Sequence, residues 1–234
     1  MKAAGVFERL QKLGDPKRAR ICQGFFKTGP GEYGEGDVFI GIAVPDMRKL
    51  AKDVQPVALP DVLSLLHSPF HEARFLALLL LIQGYRAGDT ALREKIYTLY
   101  LKNTSHINNW DLVDASAEHI VGTHLKDRDR SPLDVLSASK LLWERRIAIL
   151  ATFHFIKGGE CGETLRIAER LLQDPEDLMH KAVGWMLREV GKCDLASEER
   201  FLKKHGRAMP RTMLRYAIER FPENLRQRYL KGDV

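Results

Sequence analysis

The sequence predicts an all-α fold of stacked helical hairpins. From residue 45 onward, apolar residues recur with the 3.6-residue period of helices, and no segment alternates as a strand does. Short clusters of Gly, Pro, Asp and Asn separate the periodic segments. Similar helices return at intervals of about 33 to 38 residues, a spacing typical of helical-repeat proteins. These patterns predict an α-solenoid of the HEAT-like class, since the tetratricopeptide consensus is absent.

The N-terminal part is predicted to hold two helices and an irregular loop. The helices cover residues 5–13 and 15–27, and the second begins with Asp15 as N-cap and Pro16 at the first helical position. Residues 28–37 contain four glycines and no phosphate-binding motif. We expect this loop either to connect two helices or to touch a ligand or DNA through Tyr33.

The remaining chain is predicted to be helical, with short connections. Residues 1–44 then form an N-terminal part, residues 45–234 form tandem helix pairs, and 1–234 together form a single domain. A chain of 234 residues buries roughly 70% of its unfolded surface, so it needs no disulfide or metal to fold. The predicted helices cover residues 45–54, 59–67, 70–85, 90–102, 108–121, 132–141, 143–156, 163–172, 177–191, 197–205, 210–221 and 222–230.

A basic residue recurs near the start of the second helix of each repeat. Arg146, Lys181 and Arg215 lie about 35 residues apart, and Arg74 precedes Arg146 by about two such periods. Asp111 occupies the position in this register where a basic residue is expected. Because the second helices of such arrays line one concave wall, the register predicts a basic concave surface with one acidic interruption.

Composition limits the possible partners and cofactors. The formal net charge is +6 with a pI near 9.2, and nearly all of the basic excess lies in residues 140–234. This charge is compatible with nucleic acid, an acidic partner or ordinary solubility. Three widely spaced cysteines argue against a disulfide framework or a zinc site, and the histidines share no metal-ligand spacing. Since no nucleotide-binding loop or nucleophile elbow is visible, we expect neither a metal nor another cofactor.

Targeting signals are also missing from the sequence. Residues 1–13 carry charge throughout and lack the apolar core of a signal peptide. The longest apolar run, residues 75–82, is too short to span a bilayer. We therefore expect a monomeric protein of the bacterial cytoplasm, without a membrane partner.

The segment 108–114 contains the residues best suited to chemistry. If it opens a helix, Trp110, Val113 and Asp114 share a stripe that is apolar apart from the acid. Asp111 falls on another face, where a carboxylate is unremarkable. An acid within an apolar stripe finds a partner, shifts its pKa or meets a cation from outside. The structural alternative is a core tryptophan with an acid that caps or pairs with a neighbouring helix.

Two basic segments are further candidates. Lys181, Trp185 and Arg188 share a helical stripe that combines positive charge with an aromatic ring, which suits contact with a phosphate and a sugar or base. Arg145 and Arg146 follow a predicted helix start, from which they could reach a phosphate. The structural alternatives are solvated basic faces, a packed tryptophan and salt bridges to neighbouring repeats.

These segments resemble the AlkD-type HEAT-like DNA alkylation repair enzymes, which are alkylpurine DNA glycosylases. The resemblance covers nearly the whole chain. Its most specific parts are Trp-Asp-x-x-Asp at 110–114 and Lys-Ala-x-Gly-Trp-x-x-Arg-Glu at 181–189. Segments 41–50, 145–150 and 209–217 also match.

The resemblance implies a reaction and a set of site residues. The family hydrolyses the N-glycosidic bond of cationic N3- and N7-alkylated purines in double-stranded DNA, without a metal. Asp114 then matches the catalytic aspartate, Trp110 and Trp185 match the aromatic residues at the lesion's sugar, and Arg146 matches an arginine of the same cleft. The expected DNA contacts are Lys181, Arg188, Arg145, Arg211, Arg215, Phe25 and Tyr33.

The chain departs from the family near its N-terminus. Phe25 stands where the best-known members have a base-proximal tyrosine, and the Gly-rich loop around Tyr33 has no equivalent there. Packing against a base survives this change, whereas a hydroxyl contact does not. Three hypotheses result: an alkylpurine glycosylase, a DNA-binding relative without catalysis, and a HEAT-like scaffold for an acidic protein. A scaffold would scatter the basic residues or bury both Trp110 and Trp185 in its core.

Overall fold

The computed structural model describes residues 1–233, and its helices confirm the predicted all-α class. Within those residues no β-strand occurs, and Val38 and Phe70 form one isolated bridge. The chain forms two compact units, Met1–Ser116 and Ala117–Val234, which we call the N-terminal and C-terminal units. The single domain predicted for 1–234 and the concave DNA-binding face stay predictions. No helix within residues 1–233 has the length and apolar character needed to cross a membrane.

The N-terminal unit is built from helices that surround one long buried helix. These are α1 (Ala3–Lys12), α2 (Pro16–Phe25), α3 (Val44–Asp53), α4 (Leu59–Leu66), α5 (His71–Ala87), α6 (Thr90–Lys102) and α7 (Trp110–Ala117), whose last residue begins the C-terminal unit. A 3₁₀ turn covers Thr104–His106. Residues 71–82 of α5 are all buried because α3, α4 and α6 pack around this helix. Its apolar run therefore forms the centre of the core.

Helix α2 begins where the sequence predicts and ends earlier. The carboxylate of Asp15 accepts hydrogen bonds from the backbone N–H of Lys17 at 2.8 Å and of Arg18 at 3.3 Å, so this residue is the N-cap. The helix ends at Phe25 rather than at residue 27, since Lys27 adopts a left-handed conformation with φ of 50°. None of the residues of α2 is buried.

A glutamate of α5 fixes the irregular segment between α2 and α3. The carboxylate of Glu72 accepts backbone hydrogen bonds from Ile40 at 2.8 Å, Gly41 at 2.7 Å and Ile42 at 3.2 Å. Gly41 has a φ of 90°, and a Cβ atom there would lie 2.1 Å from the carbonyl oxygen of Asp15. Glycine is therefore required at this position.

The C-terminal unit is organised around α13. Its elements are a π-helix (Glu118–Gly122), α8 (Thr123–Leu125), α9 (Ser131–Ser137), α10 (Leu142–Ala151), α11 (Phe153–Lys157), α12 (Gly162–Arg170), α13 (Asp177–Cys193), α14 (Leu195–His205), α15 (Arg211–Ala217), a 3₁₀ turn (Ile218–Arg220) and α16 (Glu223–Lys231). Helices α10, α14 and α15 pack against α13. A Cβ atom on Gly184 would lie 2.4 Å from the carbonyl oxygen of Met213, so the glycine permits the close approach of α13 and α15.

The predicted helix 132–141 is also too long. Helix α9 ends at Ser137. Beyond it, the hydroxyl of Ser139 accepts a hydrogen bond from the backbone N–H of Leu141 at 3.0 Å. The carbonyl oxygens of Ser139 and Lys140 accept hydrogen bonds from Arg145, each at 3.0 Å. These bonds replace the helical ones, which explains the early end.

Candidate functional site

The first part of the candidate site is the start of α7. Asn109 immediately precedes this helix, and its side-chain oxygen accepts the backbone N–H of Trp110 at 2.8 Å. Leu112 and Val113 are fully buried, whereas Trp110 and Asp114 are half-buried. The two predicted residues thus stand one turn apart on the same side of one helix and remain partly accessible to solvent.

The charge of Asp114 influences the hydroxyl of Tyr100. Burial raises the pKa of Tyr100, its hydrogen bond with Ser116 lowers that pKa, and the negative charge of Asp114 raises it further. The net result is a pKa far above the ordinary tyrosine value. Tyr100 is therefore a neutral hydrogen-bonding group within the field of the Asp114 carboxylate.

Trp110 belongs to a stack of aromatic rings. The centroid of its ring lies 5.1 Å from that of Phe26, with an angle of 14° between the ring planes. The rings of Phe26 and Phe39 are 4.9 Å apart, with an angle of 24° between their planes. The imidazole of His71 continues the stack, 4.5 Å from Phe39. Phe25 meets Trp110 edge-on at 6.0 Å and is 65% exposed. The stack fixes the plane of the Trp110 ring from one side.

His71 connects two acidic residues from different parts of the N-terminal unit. Its Nδ1 atom lies 3.0 Å from Asp37 Oδ2, and its Nε2 atom lies 2.8 Å from Asp111 Oδ2. Both ring nitrogens face carboxylate acceptors, and only a doubly protonated imidazole donates to both. Burial lowers the pKa of His71, but the hydrogen bonds and charges of Asp111 and Asp37 outweigh burial and raise it to about 9. The side chain is therefore an imidazolium at neutral pH.

Asp37, the last residue of the Gly-rich loop, is buried and has several partners. Besides His71, its carboxylate accepts hydrogen bonds from the guanidinium of Arg74 and from Asn109 Nδ2, the latter at 3.1 Å. Burial raises its pKa, but the hydrogen bond from His71 and the charge of Arg74 bring it below the ordinary aspartate value. The loop is therefore anchored in the core by an ionised carboxylate.

The structure corrects the prediction that Asp111 is unremarkable. Its carboxylate pairs with the buried His71 and also accepts the backbone N–H of Leu112 at 2.9 Å. The helical face was assigned correctly as distinct from that of Asp114. The partner of Asp111 on that face is His71 of α5, 40 residues earlier in the chain. An argument from helical faces alone does not include contacts between helices.

Tyr33, predicted as a possible ligand contact, lies against α2. Its hydroxyl donates to the carbonyl oxygen of Phe25 at 3.4 Å, and its ring is half-buried. Gly34 follows and approaches the backbone closely, since a Cβ atom there would lie 2.4 Å from the carbonyl oxygen of Phe26. The Gly-rich loop therefore packs on the end of α2 and supports the two phenylalanines. Contact of Tyr33 with DNA stays a prediction.

In the C-terminal unit, α13 carries the predicted stripe of basic and aromatic residues. Lys181 lies 2.7 Å from Asp177 and is 41% exposed. Trp185 is half-buried, donates through Nε1 to Glu189 at 3.1 Å and meets Phe153 edge-on at 5.9 Å. Trp185 is therefore not a core residue, and one polar atom fixes its orientation.

Arg188, at the end of the same stripe, is engaged by acidic residues. Its guanidinium pairs with Glu219 and lies 3.7 Å from Glu189, and its side chain is 18% exposed. Glu189 is held in addition by Lys192 at 2.7 Å. The stripe thus contains acids as well as bases, and its net charge is smaller than the sequence pattern alone indicates.

The two adjacent arginines of α10 have different surroundings. Arg145 forms a fork with the buried carboxylate of Asp174, at 2.5 and 3.2 Å. Arg146 is buried and donates to the carbonyl oxygen of Leu178 at 2.6 Å. Arg145 therefore holds the unit together through a bidentate ion pair. The predicted contacts of both arginines with DNA stay predictions.

Arg211, the first residue of α15, and Arg215, in its last turn, are exposed. Arg211 donates to the carbonyl oxygen of Leu230 at 2.7 Å. Both side chains are accessible to a large ligand, as DNA binding would require. Contact of Arg211 and Arg215 with DNA stays a prediction.

Four residues joined by hydrogen bonds in the N-terminal unit were not predicted as site residues: Asp37, His71, Arg74 and Asn109. The available signals were a histidine at the start of a continuous apolar run, and an acid that closes a glycine-rich loop. Arg74 was assigned to the basic register, but it is buried against Asp37. No group of three His, Cys, Asp or Glu residues with the arrangement of a metal site occurs in residues 1–233.

The chain is similar to known proteins over most of its length. The model of a family described as "DNA alkylation repair enzyme" matches residues 6–221. A solved structure described as a predicted DNA alkylation repair enzyme from Enterococcus faecalis has 18% sequence identity and a TM-score of 0.72. That match covers 90% of this chain and 97% of the other, and at this identity it shows a common fold. No curated protein matches the chain.

Proposed function

The chain belongs to the DNA alkylation repair enzyme family, and on that premise we propose that it is a monofunctional alkylpurine DNA glycosylase. In this proposal it hydrolyses the N-glycosidic bond of cationic N3- and N7-alkylated purines in double-stranded DNA. The observation that carries the proposal is that Trp110 and Asp114 lie one turn apart on the same side of α7. Both are half-buried at the start of a helix whose neighbouring residues are buried.

The proposed reaction makes limited demands on the protein. A cationic purine is already a good leaving group, so its departure needs no general acid. The enzyme must stabilise the oxocarbenium-like sugar that remains and position a water molecule. The carboxylate of Asp114 supplies negative charge for the first task and a base for the second.

Trp110 has a complementary role in this proposal. Its ring is held by the stack on Phe26, so one aromatic face keeps a fixed orientation near Asp114. An aromatic face is electron-rich and attracts positive charge. A sugar cation that develops beside this ring is stabilised by the ring as well as by the carboxylate.

The proposed roles of the C-terminal residues rest on the family resemblance. Trp185 is assigned to the sugar of the lesion, and Arg146 is assigned to the same cleft. The remaining basic residues are assigned to the DNA backbone, a role that suits the exposure of Lys181, Arg211 and Arg215. Arg145 and Arg188 are already paired with acids, so their share in DNA binding is the smallest.

A base-release measurement tests the proposal. The protein is incubated with duplex DNA that contains N7-methylguanine or N3-methyladenine, and the free base is separated by chromatography and measured over time. We expect release well above spontaneous depurination. Release at the spontaneous rate for both lesions contradicts glycosylase activity.

A second candidate function is duplex binding without catalysis. It is favoured by Phe25, which lacks the hydroxyl of the tyrosine that the best-known family members have at this position. It predicts binding that weakens steeply with salt, because phosphate contacts release counterions, together with no base release. The scaffold hypothesis is less well supported, because neither Trp110 nor Trp185 is buried in a core.

A further inference from the structure

Trp185 stands in the middle of α13, and two neighbours determine how its indole ring is oriented. Its Nε1 atom donates a hydrogen bond to Glu189 Oε1 at 3.1 Å, and its ring meets that of Phe153 edge-on at 5.9 Å. The side chain is half-buried, so part of it faces solvent. Because a hydrogen bond is directional, the bond to Glu189 sets the rotation of a ring that a ligand can reach.

Glu189 is a buried acid on the same helix as Trp185. It follows Trp185 by four residues, the spacing at which two helical side chains meet. The residue is only 8% exposed. Burial of a carboxylate is costly unless the group is paired and hydrogen-bonded, so the position of this acid depends on the partners that it has. Glu189 ends the segment 181–189, and the proposed reaction by itself gives it no task.

Two cationic side chains hold the carboxylate of Glu189. Lys192 donates to both of its oxygens, at 2.7 Å to Oε1 and at 2.8 Å to Oε2. The guanidinium of Arg188 lies 3.7 Å from Oε1. Oε1 thus receives an indole N–H and an ammonium N–H together, and rotation of the carboxylate breaks these bonds. The acceptor of the indole proton is therefore fixed before any ligand binds.

The negative charge of Glu189 is balanced by its neighbours. Lys192 neutralises it at hydrogen-bond distance, and Arg188 adds a second positive group. The carboxylate therefore offers little net charge to a cationic ligand. Its influence on such a ligand passes through the ring of Trp185, which distinguishes a positioning residue from a catalytic one.

A ring that is fixed in advance has two advantages in the proposed reaction. It costs no reorganisation when positive charge develops on the sugar, whereas a mobile ring must first be ordered. Donation of the indole N–H to an anion also polarises the ring and makes it more electron-rich. Such a ring attracts positive charge more strongly.

We propose that Glu189 is a positioning residue for Trp185: its carboxylate, held by Lys192, fixes the indole in the orientation in which the ring meets the sugar of the lesion. This inference deepens the proposed function and rests on it for the catalytic consequence. The hydrogen bond itself does not depend on that function. Glutamine at position 189 keeps an acceptor oxygen for the indole N–H, whereas leucine keeps the bulk and lacks the acceptor.

Nuclear magnetic resonance tests the hydrogen bond without requiring any reaction. The full chain is labelled with ¹⁵N at its three tryptophans, and the indole signal of Trp185 is the one that Trp185→Phe removes. In the wild-type protein we expect its indole proton to exchange with solvent at least about 10-fold more slowly than that of free tryptophan. Exchange at the free rate overturns the inference, and this measurement needs no variant at position 189.

Two substitutions connect the indole proton to its acceptor. Glu189→Leu should shift the Trp185 indole signal and speed its exchange by at least about 10-fold, whereas Glu189→Gln should keep both close to wild type. The indole signals of Trp110 and Trp143 should stay in place. Glu176→Leu, the same change at an exposed glutamate immediately before α13, should move none of the three signals. An unmoved Trp185 signal in Glu189→Leu overturns the inference.

Single-turnover base release measures the catalytic consequence. Glu189→Leu should release N7-methylguanine at least about 10-fold more slowly than wild type, without weaker binding of the duplex. Glu189→Gln should restore most of the rate, and Glu176→Leu should keep it. In a Trp185→Phe background, Glu189→Leu should cause no further loss, because the ring that it positions is absent. An equal loss in both backgrounds shows that Glu189 acts on the fold alone and overturns the inference.

The outcomes separate this inference from the proposed function. Wild-type base release by Glu189→Leu overturns the positioning role and leaves the glycosylase in place. Absence of release by the wild-type protein contradicts the glycosylase, and the exchange of the Trp185 indole proton then decides whether Glu189 holds the ring.

Discussion

His71 Nε2 donates a hydrogen bond to Asp111 Oδ2 across 2.8 Å and thereby joins α5 to the first turn of α7. The same ring donates from Nδ1 to Asp37, at the end of the Gly-rich loop. Because Trp110 and Asp114 lie on α7, this buried imidazolium determines where both stand within the N-terminal unit. We regard His71 as a positioning residue for the candidate site.

The first prediction concerns the pH dependence that His71 gives to stability. Its pKa is about 9 in the folded protein, against 6.5 for an ordinary histidine. A raised pKa means that the stabilisation is complete below the unfolded value and is lost as pH rises through the folded value. His71→Ala should therefore lower the free energy of unfolding by about 3–5 kcal/mol in mildly acidic buffer. The difference from wild type should shrink toward pH 9.

Urea unfolding of both proteins across this pH range checks the prediction. His119→Ala, at a more exposed histidine of the C-terminal unit, is the control, and its difference from wild type should change little with pH. A His71→Ala difference that does not depend on pH would show that the imidazolium does not stabilise the folded protein.

Arg145 should matter for stability. Its partner Asp174 has a side chain only 2% exposed, so Arg145→Ala leaves a buried carboxylate without its charge partner. We expect a loss of about 3–5 kcal/mol in the free energy of unfolding. Arg170→Ala, which removes an arginine that is 48% exposed, should cost less than about 1 kcal/mol. Thermal unfolding of the two variants measures both losses. Equally small losses would contradict the claim that the bidentate pair of Arg145 and Asp174 stabilises the protein.

Lys181 should matter for DNA binding instead. Lys181→Ala is expected to weaken binding to damaged and undamaged duplex alike, and to lower the slope of affinity against salt by about one phosphate contact. Fluorescence anisotropy at several salt concentrations measures that slope. Lys95→Ala, an exposed lysine of α6, is the control. An unchanged slope in Lys181→Ala would remove Lys181 from the DNA-binding surface.

Glu198 gives the C-terminal unit a pH dependence of the same sign, over a lower pH range. Burial, and to a lesser extent the charge of Glu199, raise its pKa to about 8, although Arg188 lowers it. The folded protein therefore keeps this group protonated, and its stability falls as pH rises from the ordinary glutamate value of 4.5 to about 8. Glu198→Gln has no proton to lose.

The gain in melting temperature from Glu198→Gln should thus grow between mildly acidic and mildly basic buffer, by several degrees. Calorimetry at the two ends of the range measures it, with Glu8→Gln, an exposed position of α1, as the control. A gain that is constant with pH would show that Glu198 is ionised in the folded protein.

The helices could be predicted from the sequence because their causes are local. The 3.6-residue period predicts α5 and α13, and Asp15 with Pro16 predicts the start of α2. The end of α9 was missed because it depends on carbonyl groups that Arg145 occupies from a different helix.

The site could be predicted only in part, for a physical reason. A helical face shows that Asp111 and Asp114 point in different directions, but not that a buried histidine from α5 lies opposite Asp111. The contacts of His71 join residues 34 and 40 positions apart, and such contacts are decided by tertiary packing. Likewise, Arg145 and Arg146 are adjacent and alike in sequence, and only packing distinguishes their partners.

The central claim is that Asp114 carries the chemistry of alkyl-base removal, and single-turnover base release from duplex DNA with N7-methylguanine tests it most directly. We expect Asp114→Asn to release base about 100-fold more slowly than wild type, which corresponds to about 2.7 kcal/mol of lost transition-state stabilisation. Affinity for the duplex should be unchanged. Asp46→Asn, at an exposed acid of α3, should retain the wild-type rate. Release by Asp114→Asn at the wild-type rate would contradict the claim.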